Sequence, residues 1–242
     1  MSLLTNLVSY YKFDENTGTT IGDALSTDNL TWNGTLGSQW TTGKINSGGN
    51  FNGTDNYAVN PNVLWSTNTA AWSMGGWFKS NDYTTSNQTI ISNGDGGGSF
   101  RGYALVLSGN GTTDGSMYLL NHQIAWGNLG FKVQDNNWHH IIFTVSADGN
   151  TNKCYLDGVL RFTGGNASLG TPSGSSFIGS VSTGIYFFKG VLDEMVYWTR
   201  ELSSAEDTSL YNGGSGLQYP FPSFIGTIIS QPIFERDEVV GY

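Results

Sequence analysis

A chain of 242 residues in which only 12% are charged, set against 34 glycines, 8 tryptophans, 12 tyrosines and 13 phenylalanines, is composed for short strands and tight turns, with little surface helix. One all-β domain of this length buries an ample core. The formal net charge of -9 excludes the basic stripe that attracts nucleic acid or an anionic membrane surface, and no run approaches the roughly 18 apolar residues of a membrane span.

In chain order, Met1 to Phe13 (MSLLTNLVSYYKF) has no basic region followed by a long apolar run, so no signal peptide is visible. Turn residues cluster at Asn16 to Thr19, Ser26 to Asn29, Asn46 to Asn50, Gly94 to Gly98, Ser108 to Gly115 and Gly164 to Ser175, with strands expected between them. Asn121 to Gly130 (NHQIAWGNLG) reads as a loop. The stretch Trp138 to Leu160 is the most informative. Ile141, Phe143 and Val145 alternate with His140, Ile142, Thr144 and Ser146, the period-two signal of a strand with one dry face. Ser146 to Asn152 supplies a polar turn and Lys153 to Leu156 a second strand. Asp157-Gly158 is a dipeptide favoured in type I′ turns, and four short strands are implied in this stretch. Ser203 and Glu206 form a capping box for the one expected helix, which Gly213-Gly214 stops. Beyond Leu217 the texture changes: Pro220, Pro222 and Pro232 flank the apolar run Phe224 to Ile229 in an extended tail, residues 218 to 242. Such a tail either straps onto its own sheet or docks on a neighbouring subunit, because extended apolar segments pair with open sheet edges.

Reactive groups are few. Cys154 lies in an alternating strand and reads as a small buried hydrophobe, without an intrachain disulfide partner. His139 and His140 point to opposite faces, and no Gly-x-Ser-x-Gly elbow or His-Glu-x-x-His helix accompanies them or His122. Asn29, Asn33, Asn52, Asn87, Asn110 and Asn166 open glycosylation sequons, a pattern that a chain rich in Asn, Thr and Ser generates by chance.

The opening Trp138-His139-His140, the strand after it, and Tyr155-Leu156-Asp157-Gly158-Val159 resemble the laminin-G-like, concanavalin A-like lectin-glucanase superfamily. Leu7 to Thr20, Phe51 to Tyr57, Trp72 to Phe78, Gly190 to Trp198 and Leu202 to Leu217 follow in that family's order. The resemblance implies an all-β fold: a two-sheet antiparallel jelly-roll sandwich over residues 1 to 217, with one short C-terminal helix and the extended tail. Glycosidases on this sandwich need two carboxylates flanking a sugar bond. Their Glu-x-Asp-x-(x)-Glu pattern is missing, and Asp193 and Glu194, being adjacent, are expected on opposite faces. The resemblance therefore implies a protein that is not an enzyme.

The family often holds calcium where an N-terminal turn meets the closing strand. The matching positions are Asp23, Asn33 of the Asn33-Gly34 turn, and Asp193, and Asp55-Asn56 resembles a pentraxin-like ligand-bridging pair. Sugars present an apolar face and a ring of hydroxyls, so a site needs an exposed aromatic with amides or carboxylates beside it. Trp126, with His122, Gln123 and Asn128, fits best. Arg101, Tyr103 and Asp95 form a second group, and Trp65 a third setting. The expected function is a non-catalytic, surface-displayed module that binds carbohydrate or a cell-surface glycan, or acts as an adhesin. An extracellular or virion-surface location follows, such as a bacteriophage decoration or fibre component, with homo-oligomer or virion partners reached through the tail. The alternatives are a glycoside hydrolase and a purely structural assembly protein without glycan binding.

Overall fold

The computed structural model describes residues 1–64, 71–94, 102–121, 125–133, 135–165 and 172–222. These residues form two antiparallel sheets packed face to face. The first contains β1 (Leu7–Tyr11), β4 (Trp40–Thr42), β5 (Ser47–Asn52), β7 (Trp72–Lys79), β12 (His139–Val145), β13 (Asn152–Leu156), β14 (Val159–Gly164) and β16 (Lys189–Trp198), in the order β14-β13-β12-β7-β16-β5-β4 with β1 also on β16. The second contains β2 (Thr20–Ile21), β3 (Leu30–Asn33), β6 (Tyr57–Asn60), β8 (Gln88–Asn93), β9 (Tyr103–Leu107), β10 (Ser116–Asn121), β11 (Ala125–Lys132) and β15 (Ser176–Ile178), in the order β11-β10-β9-β8-β15-β6-β3-β2. The jelly-roll sandwich expected from the resemblance is the fold observed.

The core lies between the sheets. Trp72, Met74 and Phe78 of β7 and Ile141, Phe143 and Val145 of β12 face inward against Ile91, Leu105 and Leu119 of the second sheet. Trp77, His140 and Ile142 face outward on the first sheet and are nevertheless buried, because α1 (Ser204–Tyr211) lies over them. Leu202 and Leu210 pack on Ile142, Val196 and Trp198, and the Tyr211 ring stacks on Trp77 with centroids 5.7 Å apart. The chain then crosses the same face, where Phe221 meets Tyr10 edge-on at 5.4 Å. Residues 218–222 thus lie on their own sandwich. The outer face of the first sheet is roofed by helix and strap, and we call it the covered sheet. The second is named the open sheet for its edge at β11, where Gly127, Asn128 and Gly130 are exposed; the residues of β8, β9 and β10 are buried on both faces.

The capping box forms as expected: the Ser203 hydroxyl accepts from the Glu206 amide, and the Glu206 carboxylate accepts from the Ser203 amide at 2.9 Å. Asp157 and Gly158 adopt φ of 54° and 77°, the left-handed pair a type I′ turn needs. Three expectations are corrected. Trp138 to Leu160 holds β12, β13 and the start of β14, not four strands. Asn46 to Asn50 lies largely in β5, where a Cβ on Gly49 would sit 2.7 Å from the Phe13 ring, so glycine there admits a core ring and does not mark a turn. Most of Asn121 to Gly130 belongs to β11 and the end of β10.

Candidate functional site

Among the described residues β11 is the edge of the open sheet and pairs with β10 alone: Trp126 stands opposite Leu120, and Asn128 opposite Tyr118. Residues two apart share a face, so Trp126 and Asn128 both point outward, beside Leu120 and Tyr118. The register continues to Ala104 and Val106 on β9. These residues and Val181 make a small apolar cluster separate from the core, with Trp126 and Tyr186 half-buried against it. The Trp126 indole meets Tyr118 edge-on, centroids 6.0 Å apart at 89°, and is tilted against Tyr186 at 5.8 Å. Asn128 is exposed and donates to the Tyr118 hydroxyl at 3.1 Å. An indole in contact with two tyrosines, with an exposed amide alongside, places an apolar ring and hydrogen-bonding groups together at the sheet edge.

Trp126 and Asn128 are the residues of the sequence-derived set that the structure brings together. His122, Gln123, Asp95, Arg101 and Trp65 lie outside the described residues. Tyr103 is corrected: it is 1% exposed, its ring 4.6 Å from Trp72 in the core, so no ligand reaches it from outside. Tyr118 and Tyr186 were missed. Met117 to Leu120 is a continuous apolar run that does not tell one face from the other, and Tyr186 comes into place only through the fold.

The acidic residues do other work. The carboxylate of Asp23 accepts from the backbone amides of Tyr10 (2.9 Å), Leu25, Thr27 and Asp28 and from the Thr27 hydroxyl. Asp55 accepts from the Thr35 amide and hydroxyl and the Asn52 amide, which hold its carboxyl below the ordinary range. Buried Asn56 donates to the Thr35 carbonyl at 2.7 Å, and Asn33 to the Thr31 carbonyl at 3.0 Å. Asp193 accepts from the Lys44 and Ile45 amides at 2.7 and 2.9 Å. A calcium site needs six to eight free oxygens converging on one point. Oxygens turned toward N–H donors in three separate turns do not fit that ion, and no group of three His, Cys, Asp or Glu that could hold a metal occurs among the described residues.

Asp193 and Glu194 depart from the expected alternation. Glu194 has φ of 52°, and the β16–β7 register shifts between Asp193 and Val196, a bulge that turns both acids to the outer face. There Glu194, 4% exposed, accepts from the Tyr10 hydroxyl and from the Gln218 amide at 2.6 Å, and the same Gln218 nitrogen donates to Asp14 at 2.9 Å. Burial pushes Glu194 up to about 7. Burial and the adjacent Glu194 push Asp193 up to about 9, against the pull of three backbone N–H groups. The fold thus gathers carboxylates from distant segments, but a single amide nitrogen fills the space between Asp14 and Glu194, and Tyr10 and the Leu217 carbonyl close it over.

Solved structures resemble this chain over most of its length. Domain 4 of AbnA, a GH43 extracellular arabinanase from Geobacillus stearothermophilus solved with arabinotriose, superposes with a TM-score of 0.64 at 25% identity, covering 84% of this chain and 97% of that one. The binding domain of Paraclostridial Mosquitocidal Protein 1 gives 0.65 at 17% identity, over 88% of this chain and 53% of that one. Trypanosoma rangeli sialidase gives 0.63 at 14%, over 88% and 34%. The last two likenesses are of fold alone, and the chain spans about half the length of one and a third of the other. Comparison with curated protein sequences finds no match. No helix among the described residues is long and apolar enough to cross a membrane. Residues 52–206 match the family described as the concanavalin A-like lectin/glucanases superfamily, and with more than half its length matched the chain belongs to that superfamily.

Proposed function

We propose that the chain is a non-catalytic carbohydrate-binding module whose ligand lies across the open-sheet face at Trp126. The observation that carries the proposal is the indole in contact with two tyrosines, with Asn128 beside it on the outer face of the open sheet. An apolar sugar face gains from a flat ring held rigid before binding, and its hydroxyls find the amide and the tyrosine hydroxyl. The arabinanase domain, solved with a bound arabino-oligosaccharide, supports a neutral glycan as ligand. That domain belongs to an extracellular enzyme, which supports display of this chain on a cell or particle surface.

Hydrolysis is the competing reading, and Asp14 with Glu194 is one pair of carboxylates that the fold brings together for it. A glycosidase needs its carboxyls roughly 5 to 9.5 Å apart with the sugar bond between them. Here a protein amide occupies that place. A glycan array followed by calorimetry with arabinotriose tests the proposal: binding that Trp126→Ala weakens about tenfold, with no release of reducing sugar, is expected. A flat array, or reducing sugar released by wild type and abolished in Glu194→Gln, would overturn it.

A further inference from the structure

A cavity of about 770 Å³ opens on the covered sheet, where the segment entering α1 passes over β13 and β14. Its floor follows from the register: Tyr155 stands opposite Leu160, and Lys153 lies two residues along on the same face. Its wall is Arg200 to Ser204 and Glu206. The charges there cancel in pairs. Lys153 Nζ lies 2.7 Å from Glu201, and Arg200 forks onto Glu206 with bonds of 2.9 and 2.7 Å. A free ion of either sign would have to break one of these pairs, and the Arg200–Glu206 pair is nearly sealed from solvent.

Uncharged groups remain for a ligand. Tyr155 is 2% exposed and lines the cavity, yet its hydroxyl makes no hydrogen bond with any described residue. Its oxygen stays open to solvent in the cavity, where a ligand hydroxyl can take the place of water. The exposed Ser204 adds a hydroxyl in the first turn of α1, whose leading N–H groups have no intrahelical acceptor. Leu160, 46% exposed, supplies an apolar flank.

We infer that this cavity is a second ligand site, taking one or two units of a neutral sugar, with ligand hydroxyls on Tyr155 and Ser204 and an apolar ring face on Leu160. The volume falls within the usual range for small-molecule sites. The cavity lies on the sheet opposite to Trp126, so one copy of the chain can hold two glycan strands at once and gain from their linkage. The inference does not depend on the Trp126 face.

Amide chemical shifts of the full chain, titrated with arabinotriose, cellotriose and maltotriose and separately with inorganic phosphate, test it. A trisaccharide is expected to shift Tyr155, Leu160 and Ser204 in wild type and equally in Trp126→Ala. Affinity there should drop about tenfold in Tyr155→Phe, which loses one hydrogen bond. Ser204→Trp, an exposed change at the mouth, should abolish those shifts and serves if Tyr155→Phe misfolds. Trisaccharide shifts confined to β11, shifts at the cavity produced by phosphate alone, or no shift there at millimolar sugar would each overturn the inference. Shifts at β11 alone would leave the proposed function standing, and shifts at the cavity alone would leave only this site.

Discussion

Trp126 is half-buried, with Tyr118 edge-on and Tyr186 tilted against its ring. The sequence suggests Trp126 and Asn128 as neighbours in a loop; in the structure they share a face because the segment is a strand. Sequence reasoning selected Tyr103 wrongly, because a tyrosine at a strand start reads the same whether its ring faces core or rim. Glu194 was misread for a related reason: counting by twos assumes an unbroken ladder, and a single residue at φ 52° resets the count. The Gly34 turn offers a sharp test at this scale. With φ of 90° and a would-be Cβ 2.1 Å from the Asp55 carbonyl oxygen, Gly34→Ala must shift the backbone that Thr35 and Asn56 stitch together. A loss of about 2 kcal/mol in urea denaturation is expected. Asn128→Ala, by contrast, should leave stability within about 0.5 kcal/mol and weaken sugar binding a few fold.

The helix is the element most legible in the sequence, because its start is written in local chemistry. Ser203 and Glu206 satisfy each other's amides, and Glu206 also takes the guanidinium of Arg200, which in turn donates to the Thr5 carbonyl at 2.7 Å and to the Ser2 carbonyl. One side chain therefore joins cap, closing strand and N-terminal segment. Ser203→Ala should cost about 1 kcal/mol, whereas Glu206→Ala, which strands a buried guanidinium, should cost about 3 kcal/mol; paired urea melts read both. An equal, small cost for the two would show that the Arg200 pair adds nothing beyond the cap. β11 was illegible for the opposite reason. Its glycines, Gly127 and Gly130, and its asparagine argue locally for a loop, and an edge strand tolerates them because only one side must pair. Gly130, at φ 77°, sits where the β10–β11 register shifts, so it serves a bulge within the strand.

At the scale of the molecule, the two sheets divide the labour: one outer face is closed by α1 and the strap to Phe221, and the other carries the aromatic cluster. Composition and strand order made the sandwich readable, but no local signal indicates which face the C-terminal segment covers. That closure has a pH signature. Asp193 and Glu194 have folded pKa values raised above their ordinary ones, so their ionisation opposes folding. Stability is whole below the ordinary carboxylate range and falls as pH rises through about 7 to 9. His139, raised by its bonds to Asp157 and Asp135 against the pull of burial, contributes in the same direction, since its ion pairs are lost as it deprotonates. The thermal midpoint should be lower at pH 9 than at pH 6, and Glu194→Gln should flatten the decline while His139 leaves a residue of it. A midpoint that rises over this window would contradict the assignment. Excess EDTA at neutral pH should leave the midpoint unchanged, because the acids in question hold amides in place of an ion.

Isothermal titration of wild type and Trp126→Ala with an array-selected neutral oligosaccharide tests the central claim most directly. The account predicts saturable binding by wild type and about a tenfold loss at the β11 site in a variant that melts like the parent. Equal affinity of the two proteins at every site would show that the indole is packing rather than a platform for sugar.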